Sequence, residues 1–211
     1  AKTTEIYTGA GAGILNAAIA FGGRQGTSTG NACTEHYNGS TWSAGGTMIQ
    51  ARRASGGAGT EYAALGFGGT ANAPTYYTDT EEYYGETWAA GGALSTARYG
   101  SSAAGTQNAG LAAGGGTDST VCTCTEEYNG LTWASGGALI LARRFINGTG
   151  TQNSALAAAG YTQSPAINVS CTEEYDGTSW SEVNNMITAR KSGAVGGTQN
   201  AAFYAGGREN T

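Results

Sequence analysis

The sequence predicts an all-β fold, a β-propeller of about five four-stranded blades, from three observations. One phrase is written four times: Thr-Glu-His-Tyr37-Asn-Gly-Ser-Thr-Trp42, Thr-Glu-Glu-Tyr83-Tyr-Gly-Glu-Thr-Trp88, Thr-Glu-Glu-Tyr128-Asn-Gly-Leu-Thr-Trp133 and Thr-Glu-Glu-Tyr175-Asp-Gly-Thr-Ser-Trp180. Its tryptophans are spaced by 46, 45 and 47 residues, a period that belongs to radial or stacked repeats. No stretch shows helical periodicity, while each period holds four short segments suited to strands.

The elements follow in order within each period. The first strand comes after an Ala-Arg step at Arg52, Arg98, Arg143 and Arg190, as in Tyr99-Gly-Ser-Ser-Ala-Ala-Gly105. A Thr-Gln-Asn turn beginning at Thr106, Thr151 or Thr198 leads to the second strand, as in Ala109-Gly-Leu-Ala-Ala-Gly-Gly115. That strand ends on a Gly-Gly pair at Gly22, Gly68, Gly114 and Gly206, reduced to Ala159-Gly160 in the fourth copy. The third strand ends at the repeated tyrosine. The fourth begins at the tryptophan and is expected to run on to the next arginine. Between them Asn-Gly signals a two-residue type I′ hairpin, which needs positive φ at both positions.

The repeats are about 6–51, 52–97, 98–142 and 143–189, with a partial copy at 190–211, in one domain spanning 1–211. Residues 1–9 align with 93–101, so the chain is expected to enter at the end of a fourth strand. The expectation is a portion of a longer repetitive chain, part of a larger ring; the alternative is a five-bladed ring with one thin blade. The first two strands of each repeat are mostly Gly, Ala and Ser, which suits the crowded strands near a propeller axis. Tyr and Trp fall in the outer half, where blades fan apart and the gap needs filling.

Composition narrows the function classes. The 37 glycines accompany 12 Tyr, 4 Trp and only 12% charged residues, so they read as turn and packing positions rather than disorder. A net charge of −5, with two lysines and eight arginines, argues against a nucleic-acid partner, which would need clustered cations. No apolar run is long enough for a membrane span.

Several repeated columns invite chemistry, and each has a structural reading. Glu35, Glu81, Glu126 and Glu173 lie two residues before the repeated tyrosine and share its strand face. Buried carboxylates need partners, and Arg52, Arg98, Arg143 and Arg190 provide one per repeat, giving an expected Glu–Arg pair in each blade. Glu82, Glu127, Glu174 and His36 point the other way and are expected to be solvated. Cys33, Cys124 and Cys171 form one column and read as packing residues, with Cys122 two residues before Cys124. Asn38, Asn147 and Asn168 begin Asn-x-Ser/Thr sequons, for which a turn role suffices at the two that precede Gly.

The order Gly-Gly, Tyr, Trp at this period resembles the kelch repeat over essentially the whole chain. It departs in the five-residue interval from Tyr to Trp. The Ala/Gly-rich wording looks like the kelch-like repeats of marine bacteriophage structural proteins and secreted microbial proteins. The resemblance implies a binding scaffold rather than an enzyme. A single histidine, His36, cannot build the copper site of galactose-oxidase-like propellers. The Asp-x-Gly of the sialidase Asp-box is absent too, since Asn38-Gly39 and Asp176-Gly177 are adjacent pairs. The sequence therefore assigns no catalytic, cofactor-binding or metal-ligating residue, and the binding residues stay unknown. The expected role is a non-enzymatic structural or receptor-binding part of a virion or another extracellular assembly, with other protein subunits as partners. The alternative is a secreted carbohydrate-binding or adhesion module that meets cell-surface glycans, and a glycan-processing enzyme ranks below both.

Overall fold

The computed structural model of the chain describes residues 8–24, 26 and 29–210. They form an all-β propeller of four-stranded antiparallel blades. The first blade is β1 (Ala10–Ile14), β2 (Ala17–Phe21), β3 (Thr34–Tyr37) and β4 (Trp42–Ala44). The second is β5 (Gly56–Gly59), β6 (Ala64–Phe67), β7 (Thr80–Tyr83) and β8 (Trp88–Ala90). The third is β9 (Ser102–Thr106), β10 (Ala109–Ala113), β11 (Thr125–Tyr128) and β12 (Trp133–Ser135). The fourth is β13 (Asn147–Thr151), β14 (Ser154–Ala158), β15 (Thr172–Tyr175) and β16 (Trp180–Val183). Strands pair in chain order within each blade, and the Gly/Ala-rich first strands pack side by side, β1 on β5, β5 on β9 and β9 on β13.

The blade count is four, rather than about five. The last repeat contributes a two-stranded hairpin, β18 (Ala194–Thr198) with β19 (Ala201–Ala205), packed on β13. It is flanked by a short pair, β17 (Arg190–Lys191) with β20 (Arg208–Glu209). The reason is written in residues 190–210, which carry two inner strands but no Tyr–Trp hairpin. Residues 1–7, expected to enter at the end of a fourth strand, lie outside the described residues.

The core is divided between blades. Ile19, Phe21 and Met48 of the first blade meet Tyr83 and Trp88 of the second. Leu65, Phe67 and Leu94 meet Tyr128 in the same way, with Trp133 packed alongside. Leu111, Ala113 and Leu139 then meet Tyr175 and Trp180. The hairpin aromatic pairs of the second, third and fourth blades therefore fill the gap behind their blade. Fully burying one such side chain stabilises by roughly 2–3 kcal/mol.

Two local expectations change. The Tyr-to-Trp connection is a four-residue loop in which only the glycine has positive φ, as at Gly39 (92°) and Gly130 (90°). Asn129 instead accepts hydrogen bonds at Oδ1 from the Leu131 and Thr132 amides (2.9 Å each), so it closes the turn with its side chain. Because Tyr pairs directly with Trp, five residues of separation leave four for the loop, too many for a type I′ turn. The fourth strands are also short, ending at Ser135 in the third blade: the Gly136 amide still reaches the Thr125 carbonyl of β11, but the Gly137 amide turns to the Tyr175 hydroxyl of the next blade.

A Cβ at Gly92 or Gly137 would land on the Leu131 or Thr178 carbonyl of the following hairpin loop. Glycine is thus what lets the next blade approach. In the fourth blade the aligned positions are Val183 and Asn184, and β16 gains a residue. Gly137→Ala should therefore cost about 1–3 kcal/mol in urea denaturation through overpacking, whereas Asn184→Gly should leave stability nearly unchanged. Equal effects of the two substitutions would remove the glycine-docking account.

Candidate functional site

Both faces of the third strand are engaged in the second and third blades, because each of these blades has a neighbour on either side. On the face toward the preceding blade, Glu81 Oε1 and Oε2 accept from the Gln50 (3.0 Å) and Ile49 (2.7 Å) amides, in the segment that links the first two blades. Arg52 Nη2 meets the same carboxylate at 2.6 Å, and its Nη1 donates to the Gly68 and Asp79 carbonyls. Glu173 repeats this with the Ile140 and Leu141 amides and Arg143. Glu126 takes the Ser95 amide at 2.8 Å, and Arg98 Nη2 stands 2.8 Å away as an ion pair without hydrogen-bond alignment. The three arginines are fully buried. The expected Glu–Arg pairing thus holds at three arginines, each in the connection entering the blade that carries its glutamate. The fourth, Arg190, pairs with Glu209 at 3.3 Å in the β17–β20 strip. Glu35, in the first blade, is buried like its counterparts.

The opposite face corrects an expectation. Glu82 and His36 are buried, and Glu127 and Glu174 are half-buried, so this column is not solvated. The Tyr128 hydroxyl donates to Glu82 (2.5 Å) and the Tyr175 hydroxyl to Glu127 (2.6 Å), each from the next blade. Burial, reinforced by these carboxylates, pushes both phenols up to about 12. Period-two alternation correctly separates the faces, but it assigns one to water only when a sheet has a single packed side.

Two further columns escaped sequence reasoning. Trp88, Trp133 and Trp180 donate from Nε1 to Thr34, Thr80 and Thr125 of the preceding blade, each at 2.9 Å. Gln107, Gln152 and Gln199, at the inner turns, donate to the Tyr83, Tyr128 and Tyr175 carbonyls of the blade before, at 2.6–2.8 Å. The repetition of Gln in each Thr-Gln-Asn turn was the available signal, since a turn alone does not require it.

One interface departs from the pattern. Between the first two blades, His36 stands where the others have Glu, and Glu61 where the others have Gln. His36 Nε2 lies 2.8 Å from the Tyr83 hydroxyl, and its Nδ1 is 3.3 Å from Glu61 as an electrostatic contact. Tyr62, largely exposed, stacks on the imidazole at 5.5 Å. These groups line a cleft of about 360 Å³ with Asn38 and Glu86. Tyr83 is wholly buried, and burial raises its phenol pKa, so it orients the histidine rather than presenting a nucleophile.

The cysteines are all free; Cys33 is exposed and the other three are half-buried, so the column is not a core packing position. Burial pushes the Cys122 thiol up to about 11, which leaves it unreactive at neutral pH. Asn38 closes its turn, while Asn147 bonds Gly193 and Tyr204, and Asn168 is buried against Arg208. Among the described residues no three His, Cys, Asp or Glu side chains converge as metal ligands, and no helix is long and apolar enough to cross a membrane. No protein-family model matches the chain, and no curated protein matches it in sequence.

The paired replacement at His36 and Glu61 predicts coupling. His36→Glu alone puts two carboxylates together and should cost roughly 1–3 kcal/mol, whereas adding Glu61→Gln restores the pattern of the other interfaces and should recover most of it. Urea denaturation of both single variants and the double variant measures the coupling; strictly additive costs would show that the two positions act independently.

Proposed function

We propose that the protein is a non-enzymatic structural and binding propeller of the kelch-like kind, built into a virion or another extracellular assembly alongside other protein subunits. The observation that carries this reading is where the repeated polar groups are used. Carboxylates, tyrosines, tryptophans and glutamines that could furnish a site are bonded to a neighbouring blade at three successive interfaces. A frame of this kind offers rigidity and loop surfaces rather than reactive groups.

A second reading has one observation in its favour. The cleft at Asn38, Glu61 and Tyr62 combines an exposed ring with polar neighbours, as a carbohydrate-binding or adhesion module would need. The experiment is quantitative mass spectrometry of purified particles from the producing system, paired with a glycan array of the isolated chain. The assembly reading expects the chain at fixed stoichiometry in particles. Recovery only as free protein, with array hits abolished by Tyr62→Ala, would replace it with the adhesin.

A further inference from the structure

The charges of the propeller are sorted by end. All nine basic side chains among the described residues fall in the loops, the linkers and the short β17–β20 pair at one end of the blades. The turns at the opposite end carry charged residues of one sign only, Glu61, Glu86 and Asp176. Arg52, Arg98, Arg143 and Arg190 are matched by glutamates. The other five, Arg24, Arg53, Arg144, Lys191 and Arg208, include just one ion pair among the described residues, a 3.9 Å contact from Arg144 to Asp118.

Three of these five are the chain neighbours of residues that wall an axial cavity of about 400 Å³. Its wall includes Thr8, Ala54, Gly100, Phe145 and Ser192, one residue per repeat, all at positive φ between 50° and 67°. Their backbones are linked in sequence: the Ala54 amide donates to Thr8 (2.9 Å), Gly100 to Ala54 (2.8 Å) and Ser192 to Phe145 (3.3 Å). Arg53, Arg144 and Lys191 each immediately precede one of these residues. The repeat period therefore brings to one end of the blades cations separated along the chain by 91 (Arg53 to Arg144) and 47 (Arg144 to Lys191) residues.

These cations are crowded. Lys191 Nζ sits 4.0 Å from the Tyr161 ring centre, and the Arg144 guanidinium lies 5.5 Å from the same ring. Lys191 is also the direct cross-strand partner of Arg208, an arrangement that is unfavourable for like charges. Burial, with Arg208 and Arg144 beside it, lowers the Lys191 pKa. Asp118, the nearby carboxylate, is already committed to the Tyr99 hydroxyl at 2.6 Å. Arg53 Nε, Arg144 Nε and Ser55 Oγ have no hydrogen-bond partner among the described residues, and Arg144 is only 8% exposed. Clustered cations with a single long ion pair among them call for a negative counterpart.

We propose that this basic cluster, at Arg144, Lys191 and Arg208, binds a compact anionic group: a sulfate, phosphate or carboxylate, free or carried on a small sugar. A long polyanion fits poorly, because the basic patch is local and the rest of the chain is acidic, with a net charge of −5. The site is independent of the assembly reading and lies at the opposite end of the blades from Glu61 and Tyr62.

The test is isothermal titration of the full chain at low ionic strength with sodium sulfate, sodium phosphate and a sulfated disaccharide, set against sodium chloride. Saturable binding of at least one of them is expected, weakening as salt is raised. Lys191→Gln combined with Arg208→Gln should weaken that binding at least about tenfold, the loss expected for a charge-assisted contact. The double variant's melting temperature should hold or rise, since a like-charge pair is removed; this separates loss of the site from loss of the fold. Tighter binding of the disaccharide than of free sulfate would support a sugar-borne group, and equal affinity a free anion. Absence of saturable binding, binding unchanged in the folded double variant, or stronger binding of a single-stranded oligonucleotide than of every compact anion would overturn the proposal.

Discussion

The structure depends on a buried carboxylate that holds the connection between blades. Glu81 and Glu173 each gather two backbone amides and an arginine from the segment entering their blade, and Glu126 gathers one amide and its arginine. The segment has no strand partner of its own at these amides, so without the carboxylate its donors would be left unsatisfied beside a packed interface. The arginine in turn satisfies backbone carbonyls, Gly68 and Asp79 at Arg52, and Ala157 and Ala159 at Arg143. One side chain thereby fixes the path of the linker, and the linker fixes where the next blade begins.

With that spacing set, the hairpin aromatics can do their work. In the second, third and fourth blades a Tyr and a Trp reach back together, the phenol to a carboxylate or His36 and the indole to a threonine. Their rings fill the gap, and their polar tips find partners across it, which is how large amphipathic rings are buried at low cost. The glycines at the end of the fourth strand complete the fit by removing the Cβ that would hold the blades apart. The fourth blade, with Val183 and Asn184 at this place, presents a different outer face.

Much of this was legible in the residues, because repetition converts weak local signals into strong ones. Tyr128 and Trp133 alone suggest a hairpin; four copies at one period specify strands, blades and a Glu–Arg column. What stayed hidden depends on the third dimension. Glu82 and His36 alternate away from Glu81 and Glu35, and nothing local says that the second face is also covered. The four-residue turn follows from pairing Tyr directly with Trp, a register that Asn-Gly does not reveal. Arg53, Arg144 and Lys191 look dispersed along the chain, and only the side-by-side packing of the repeats brings them to one end of the blades. Ala159 and Phe145, at positive φ of 63° and 56°, adopt a backbone that their residue types would not suggest.

The central claim is that the buried carboxylate in each third strand carries the blade-to-blade connection. It is tested most directly by thermal and urea denaturation of Glu126→Gln. This change leaves Arg98 buried without its counter-charge and should cost about 3–5 kcal/mol. In a chain of 211 residues that corresponds to a fall in melting temperature of roughly 10 °C, with Glu86→Gln at an outer turn as the neutral control. A Glu126→Gln protein that melts with the wild type would contradict the account.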